Sequence, residues 1–152
     1  MILKYYDIEE DTLNIKRKAR MDHTGTTIKG LVETFKAYAI EAKAYHASLS
    51  DIKEHITLPC ILHTLEEGIG HFVVLYEIKE DTYIIGDPAH GIVVYDQEEL
   101  ASIYTENVVS ITHIGRYFEY ENKTFKQFLK EIKKLYHKDI RKLGSYTFFI
   151  TL

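Results

Sequence analysis

His71 and Asp87 are the residues whose types and spacing could do chemistry in this 152-residue chain. They fall near the two ends of residues 70–91, GHFVVLYEIKEDTYIIGDPAHG, in which two apolar runs flank Lys79-Glu80-Asp81. β-Branched and aromatic residues bounded by turn residues predict a β-hairpin, with strands over residues 71–78 and 82–86. Gly70 precedes the first strand, and Pro88 ends the second because it lacks a backbone donor. A turn near residues 79–81 places the start of the first strand beside the end of the second. His71 and Asp87 then lie within a rung or two of each other. A carboxylate beside an imidazole fixes its tautomer and stabilises its charged form, as a general base requires. The same pair can serve as a structural hydrogen bond at a sheet edge, and covalent catalysis would also need a nucleophile.

The other candidates are weaker. Cys60 is the only thiol and lies in the apolar run Pro59-Cys-Ile-Leu-His-Thr64. A free Cys in such a run reads as a core residue. A nucleophilic Cys is activated at a helix N-terminus or beside a cation. His63, on the same predicted strand, could face the neighbourhood of His71, but reads rather as a satisfied core histidine. His90, just past Asp87, reads as a solvated turn residue. His63, His71, Asp87 and His90 are residue types that bind zinc, but their spacing is not diagnostic. Neither a metal site nor a cofactor is expected in this chain.

The elements that must position the pair follow from the pattern. Residues 1–6 read as the end of a buried helix, and residues 9–19 as a mostly exposed one. Thr24-Gly-Thr-Thr27 is a turn with a hydroxyl cap. After it Ile28, Leu31, Val32 and Phe35 recur at helical spacing, predicting a helix over residues 27–38. A strand is expected at 41–46 and a short helix, opened by Ser48-Leu-Ser-Asp51, to about residue 56. Pro59 opens the next strand, 60–64, and Glu66-Glu-Gly68 turns into the hairpin. Residues 91–95 form a further strand. Asp96 caps a helix over 97–104, where Glu98 and Glu99 suit the positive helix end. Residues 107–114 form the last core strand. Helices first and then an antiparallel run of strands is an α+β class.

Length and composition favour one domain. A single Cys excludes an intrachain disulfide and fits a reducing compartment. No signal peptide is evident. Residues 123–142 carry eight basic residues against two acidic ones, leaving +6 there and −10 on the rest of a chain of net charge −4. An acidic body argues against nucleic-acid binding, which calls for a basic face. Phe125, Phe128, Leu129, Ile132, Leu135 and Tyr136 mark one face of a helix with lysines opposite, a pattern of membrane-surface helices. It also suits a helix packed on its own domain. Residues 146–152 are apolar but too few to span a bilayer. A basic collar before an apolar run is the positive-inside pattern at the start of a membrane helix. The expected division is a domain over 1–115 and a basic linker helix leading into a membrane segment over 116–152.

His71-Phe-Val-Val-Leu-Tyr76 and Asp87-Pro-Ala-His-Gly91 resemble the His and Asp motifs of the family-39 cysteine peptidases. These are the N-terminal domains of bacterial ABC exporters that cut double-glycine leaders from bacteriocins and peptide pheromones. Thr24-Gly-Thr-Thr-Ile-Lys-Gly-Leu31, Leu58-Pro-Cys-Ile-Leu-His63, and Gly91-Ile-Val-Val-Tyr95 followed by Glu98-Glu-Leu100 are similar to further family motifs, so the resemblance runs from Met1 to about Ile114. It implies a papain-like cysteine peptidase fold with the site between a helical half and a β half. It implies His71 as general base and Asp87 as its orienter. It also implies a double-glycine leader peptide as substrate, and membrane and ATPase domains as partners. ATP would be bound only by that ATPase, since this chain has no phosphate-cradling glycine loop. The intact exporter would be a homodimer with this domain on the cytoplasmic face of the bacterial inner or plasma membrane.

One departure bears on activity. In the family a Gln-x-x-x-x-Asp-Cys-Gly pattern opens a helix whose end is similar to Met1-Ile-Leu-Lys-Tyr-Tyr6. On this resemblance the chain starts inside that helix, roughly two turns past the nucleophile: the start codon is internal and misassigned, the gene is truncated, or the domain has lost catalysis. Neither the Cys nor the oxyanion Gln then has a matching position. The expected function is a peptidase-like domain of a peptide or bacteriocin exporter that is inactive as it stands. The alternatives are a non-catalytic leader-docking module or a gene fragment without independent function.

Overall fold

The computed structural model describes residues 1–22 and 25–114. The sequence-predicted basic helix at 125–136 and the apolar run at 146–152 lie outside the described residues. Three helices come first: α1 (Ile2–Tyr5), α2 (Thr12–Lys18) and α3 (Ile28–Lys36). Strand β1 (Ile40–His46), helix α4 (Leu49–His55) and strands β2 (Cys60–Glu66), β3 (Ile69–Lys79), β4 (Thr82–Asp87) and β5 (Gly91–Asp96) follow. Helix α5 (Gln97–Ile103) then runs directly into β6 (Tyr104–Ile114). The six strands form one sheet in the order β1-β6-β2-β3-β4-β5. Every pairing is antiparallel. This is the expected α+β architecture.

Both faces of the sheet are covered. Strand side chains alternate between faces, and β2 pairs with β3 as Cys60↔Leu75 and Ile61↔Val74. On the first face Cys60, Leu62, Val73, Leu75, Tyr83 and Ile85 pack with Leu49 and Ile52 of α4 and Leu100 of α5. On the second, Ile61, Val74, Tyr76 and Val109 are buried. Here Tyr5 of α1 stacks on Tyr76 with ring centroids 5.8 Å apart. Burial of such side chains is worth about 25 cal/mol per Å2 of apolar surface removed from water.

The short helices hold because their ends are capped. Ser48 with Asp51, and Asp96 with Glu99, form complete capping boxes on α4 and α5. Each box satisfies backbone donors that would otherwise lack partners. Thr27 accepts from Gly30 N at the start of α3. The apolar spacing of α3 predicts a buried stripe through Ile28, Leu31, Val32 and Phe35. Of these only Phe35 is fully buried, and the inward face runs through Gly30, Thr34 and Phe35. Close approach is the reason: a Cβ on Gly30 would lie 2.6 Å from both Ala19 O and Thr26 Oγ1. The helix therefore turns its smallest residue toward the preceding chain.

Helix α2 buries no residue, and a polar cluster anchors it instead. Glu10 accepts from Asn14 Nδ2 at 3.1 Å, Asp11 N at 2.9 Å, Tyr38 OH at 3.0 Å and Lys18 Nζ at 3.3 Å. The Asn14 bond, then those from Asp11 and Tyr38, pull the Glu10 carboxyl down to about 2. Lys18 Nζ also sits 4.0 Å from the centre of the Tyr38 ring, a cation–π contact.

Candidate active site

The β3–β4 hairpin closes on Lys79↔Thr82, with Glu80 in the left-handed region at φ 53°. Register runs Val74↔Gly86 and Leu75↔Ile85, with an irregularity between Leu75 and Glu77. Continuing it sets Asp87 beside Val73, one same-face step from His71. Gly70, expected before the strand, lies within β3.

The predicted pair meets. His71 Nε2 lies 3.1 Å from Asp87 Oδ1, with the imidazole 34% exposed and the carboxylate only 3%. Asp87 is fixed from both sides. Its Oδ1 also accepts from Ala89 N at 2.6 Å and His90 N at 3.2 Å, the turn that an Asp side chain makes with backbone two and three residues on. Its Oδ2 lies 3.1 Å from His90 Nδ1. Burial opposes the charged carboxylate, but the Ala89 N–H, His90 and His71 outweigh it and hold its pKa below the usual carboxylate value. Thr64, fully buried and paired with His71 in register, donates from its hydroxyl to His71 O at 3.4 Å. An ionised Asp87 makes His71 Nε2 the donor, leaving Nδ1 as the ring nitrogen able to take a proton. A ring held this way can act as a general base.

The remaining candidates separate from it. Cys60 is wholly buried, and burial pushes its thiol far above the ordinary value. It pairs with Leu75, four residues along β3 from His71, or roughly 13 Å at strand spacing. His63 does not face the neighbourhood of His71. It pairs with Phe72, so alternation puts it on the opposite face. Its Nδ1 lies 2.7 Å from Thr105 Oγ1, whose hydroxyl donates to His63 O at 3.0 Å. A Cβ on the neighbouring Gly70 would lie 3.0 Å from His63 Nε2. His63 is thus satisfied as expected, though half-buried rather than in the core. His90 is 69% exposed, as a turn residue should be, yet its ring engages Asp87. The sequence places His90 in a solvated turn and does not show this contact, which depends on the conformation of that turn. Among the described residues no group of three or more His, Cys, Asp or Glu side chains could hold a metal ion.

Comparison with known proteins decides the family. The Peptidase C39 family matches residues 1–116. The chain belongs to the Peptidase C39 family. Among curated relatives, this C39 chain is 33% identical over 90 residues to the pediocin PA-1 transport/processing ATP-binding protein PedD of Pediococcus acidilactici. That match covers 58% of this chain and 12% of the relative. It is 36% identical over 93 residues to the lactococcin-G-processing and transport ATP-binding protein LagD of Lactococcus lactis subsp. lactis, covering 60% and 13%. The matched part is therefore about an eighth of each relative's length. Among solved structures, a double glycine motif protease from an AMS/PCAT transporter, in complex with the leader peptide, superposes with a TM-score of 0.69 at 28% identity. The match covers 73% of this chain and 77% of that one. The peptidase domain of Streptococcus ComA gives a TM-score of 0.68 at 23% identity, covering 73% and 84%. It shares the fold.

Proposed function

We propose that this C39 domain recognises the leader peptide of an exported bacterial peptide, with His71 as general base and Asp87 as its orienter. The observation that carries the reading is the 3.1 Å contact between His71 Nε2 and Asp87 Oδ1 at the open end of the sheet. In the family reaction, the His71 ring takes the proton of a thiol. The thiolate attacks the carbonyl of the second Gly, the charged ring gives its proton to the leaving amine, and water then hydrolyses the resulting thioester to release the leader and restore the thiol. Asp87, ionised and fixed by four donors, holds the ring so that Nδ1 is free for that proton.

Cys60 does not supply the thiol: it is buried, its thiol is held protonated, and it pairs four residues along β3 from the base. The 152 residues on their own therefore bind a leader without cutting it. Residues 1–115 form the recognition domain and 116–152 a basic linker toward a membrane segment. The partners are the membrane and ATPase domains of a homodimeric exporter, on the cytoplasmic face of the membrane. No helix among the described residues is long and apolar enough to cross a membrane.

Calorimetry with a synthetic double-glycine leader tests the reading. Saturable binding by the folded chain, with no cleavage seen by mass spectrometry, is the expected result. Absence of binding, or cleavage that disappears on Cys60→Ser, would overturn it.

A further inference from the structure

Asp87 has two oxygens and two imidazoles, and only one of the rings belongs to the proposed base. Oδ1 faces His71 Nε2 and the turn amides of Ala89 and His90. Among the described residues Oδ2 faces the His90 ring alone, through Nδ1 at 3.1 Å. The carboxylate is 3% exposed, whereas the His90 ring is 69% exposed. His90 thus lies over a buried acceptor that otherwise lacks a donor, and a buried acceptor left unpaired is costly. An exposed side chain has little packing reason to hold that position.

We infer that His90 is a positioning residue: its Nδ1–H donates to Asp87 Oδ2 and locks the carboxylate so that Oδ1 stays aimed at His71. The inference rests on the reading of His71 as the base, and it concerns how that base is held. It has a sharp chemical consequence. Around one ionised carboxylate the two neutral rings carry their protons on different nitrogens, Nε2 in His71 and Nδ1 in His90. His90 is not replaceable by just any small residue. Asn in its place puts an amide nitrogen at the same bond distance from the backbone as Nδ1, whereas Ala offers no donor.

Nitrogen-15 NMR of the full 152-residue chain tests this, recorded on the alkaline plateau where the ring nitrogen shifts no longer change with pH. The expected spectrum has His90 protonated on Nδ1 and His71 on Nε2; neutral His90 protonated on Nε2 would overturn the inference. Exchange of the His71 Nε2 proton with water gives the second readout. His90→Ala should quicken it about tenfold or more, the loss expected for one charge-assisted hydrogen bond. His90→Asn should keep it within about twofold of the parent, because the donor is restored. Unchanged exchange in His90→Ala, or equally fast exchange in His90→Asn, would contradict the positioning role. The tautomer readout uses the unsubstituted chain and needs no variant to fold. If His71 were not the base, cleavage by a chain given a thiol at the family's position would survive His71→Ala while these spectra stayed as described.

Discussion

Strands β2 and β3 carry the chain's only thiol and its best-placed imidazole on the same face of one sheet, and the two ends of that face behave oppositely. At the Cys60 end, side chains from α4, α5 and four strands close over the thiol, and desolvation keeps it neutral. At the His71 end the sheet opens, the ring is one-third exposed, and a buried carboxylate holds it with help from a tight turn. The residue type is not what confers reactivity. A thiol is a stronger nucleophile than an imidazole only as thiolate, and the packing at Cys60 forbids that form. Reactivity follows from where along the strand a side chain lies and which donors converge there.

The comparison breaks most severely at Asp87. Asp87→Ala strips the partner from two backbone N–H groups and two rings in one turn, and should cost about 2–4 kcal/mol in urea unfolding. It should also weaken the hold on His71. The Asp87 contribution is pH-dependent with a definite sign. Its folded pKa lies below its reference value of 3.8, so the stabilisation is present above that pH. It is lost as pH falls through the folded value. The stability gap between parent and Asp87→Asn should therefore narrow on acidification below about pH 4.

At the other end, Cys60→Ser puts a hydroxyl at a wholly buried position in the apolar core. It should cost about 1–3 kcal/mol in the same unfolding measurement and leave leader binding unchanged. Iodoacetamide should label Cys60 only as fast as the core opens. Rapid labelling of the native chain would show that the two ends differ less than described.

Away from the sheet, Glu10 gives a smaller effect of the same sign as Asp87. Its pKa falls from 4.5 to about 2, so its stabilising contribution fades between those values as pH drops. Thermal unfolding of Glu10→Gln against the parent at pH 7 and at about pH 2 should show the difference at the former only. Smallest of all, Leu13→Ser should move the midpoint by less than the equivalent of about 0.5 kcal/mol, since Leu13 is 72% exposed.

Much of this was legible in the residues. Alternating apolar runs around Lys79-Glu80-Asp81 sufficed to bring His71 and Asp87 together, because hairpin register follows from where the turn lies. Ser48 and Asp96 announced their helices through capping chemistry. Three things were hidden, each set by tertiary approach. The inward turn of Gly30 depends on Ala19 O, which no helical periodicity encodes. The far-side placement of His63 depends on β2–β3 register at one-residue resolution. The hold of His90 on Asp87 depends on a turn conformation that its exposure disguised.

The most direct test of the central claim supplies a thiol at the family's position. A Gln-x-x-x-x-Asp-Cys-Gly segment grafted in helical register before Met1 should give a chain that cuts a double-glycine leader after Gly-Gly. His71→Ala should abolish that cleavage, and Cys60→Ser should leave it unchanged. Cleavage that survives His71→Ala, or that requires Cys60, would contradict the assignment of His71 and Asp87 as the base half of the site.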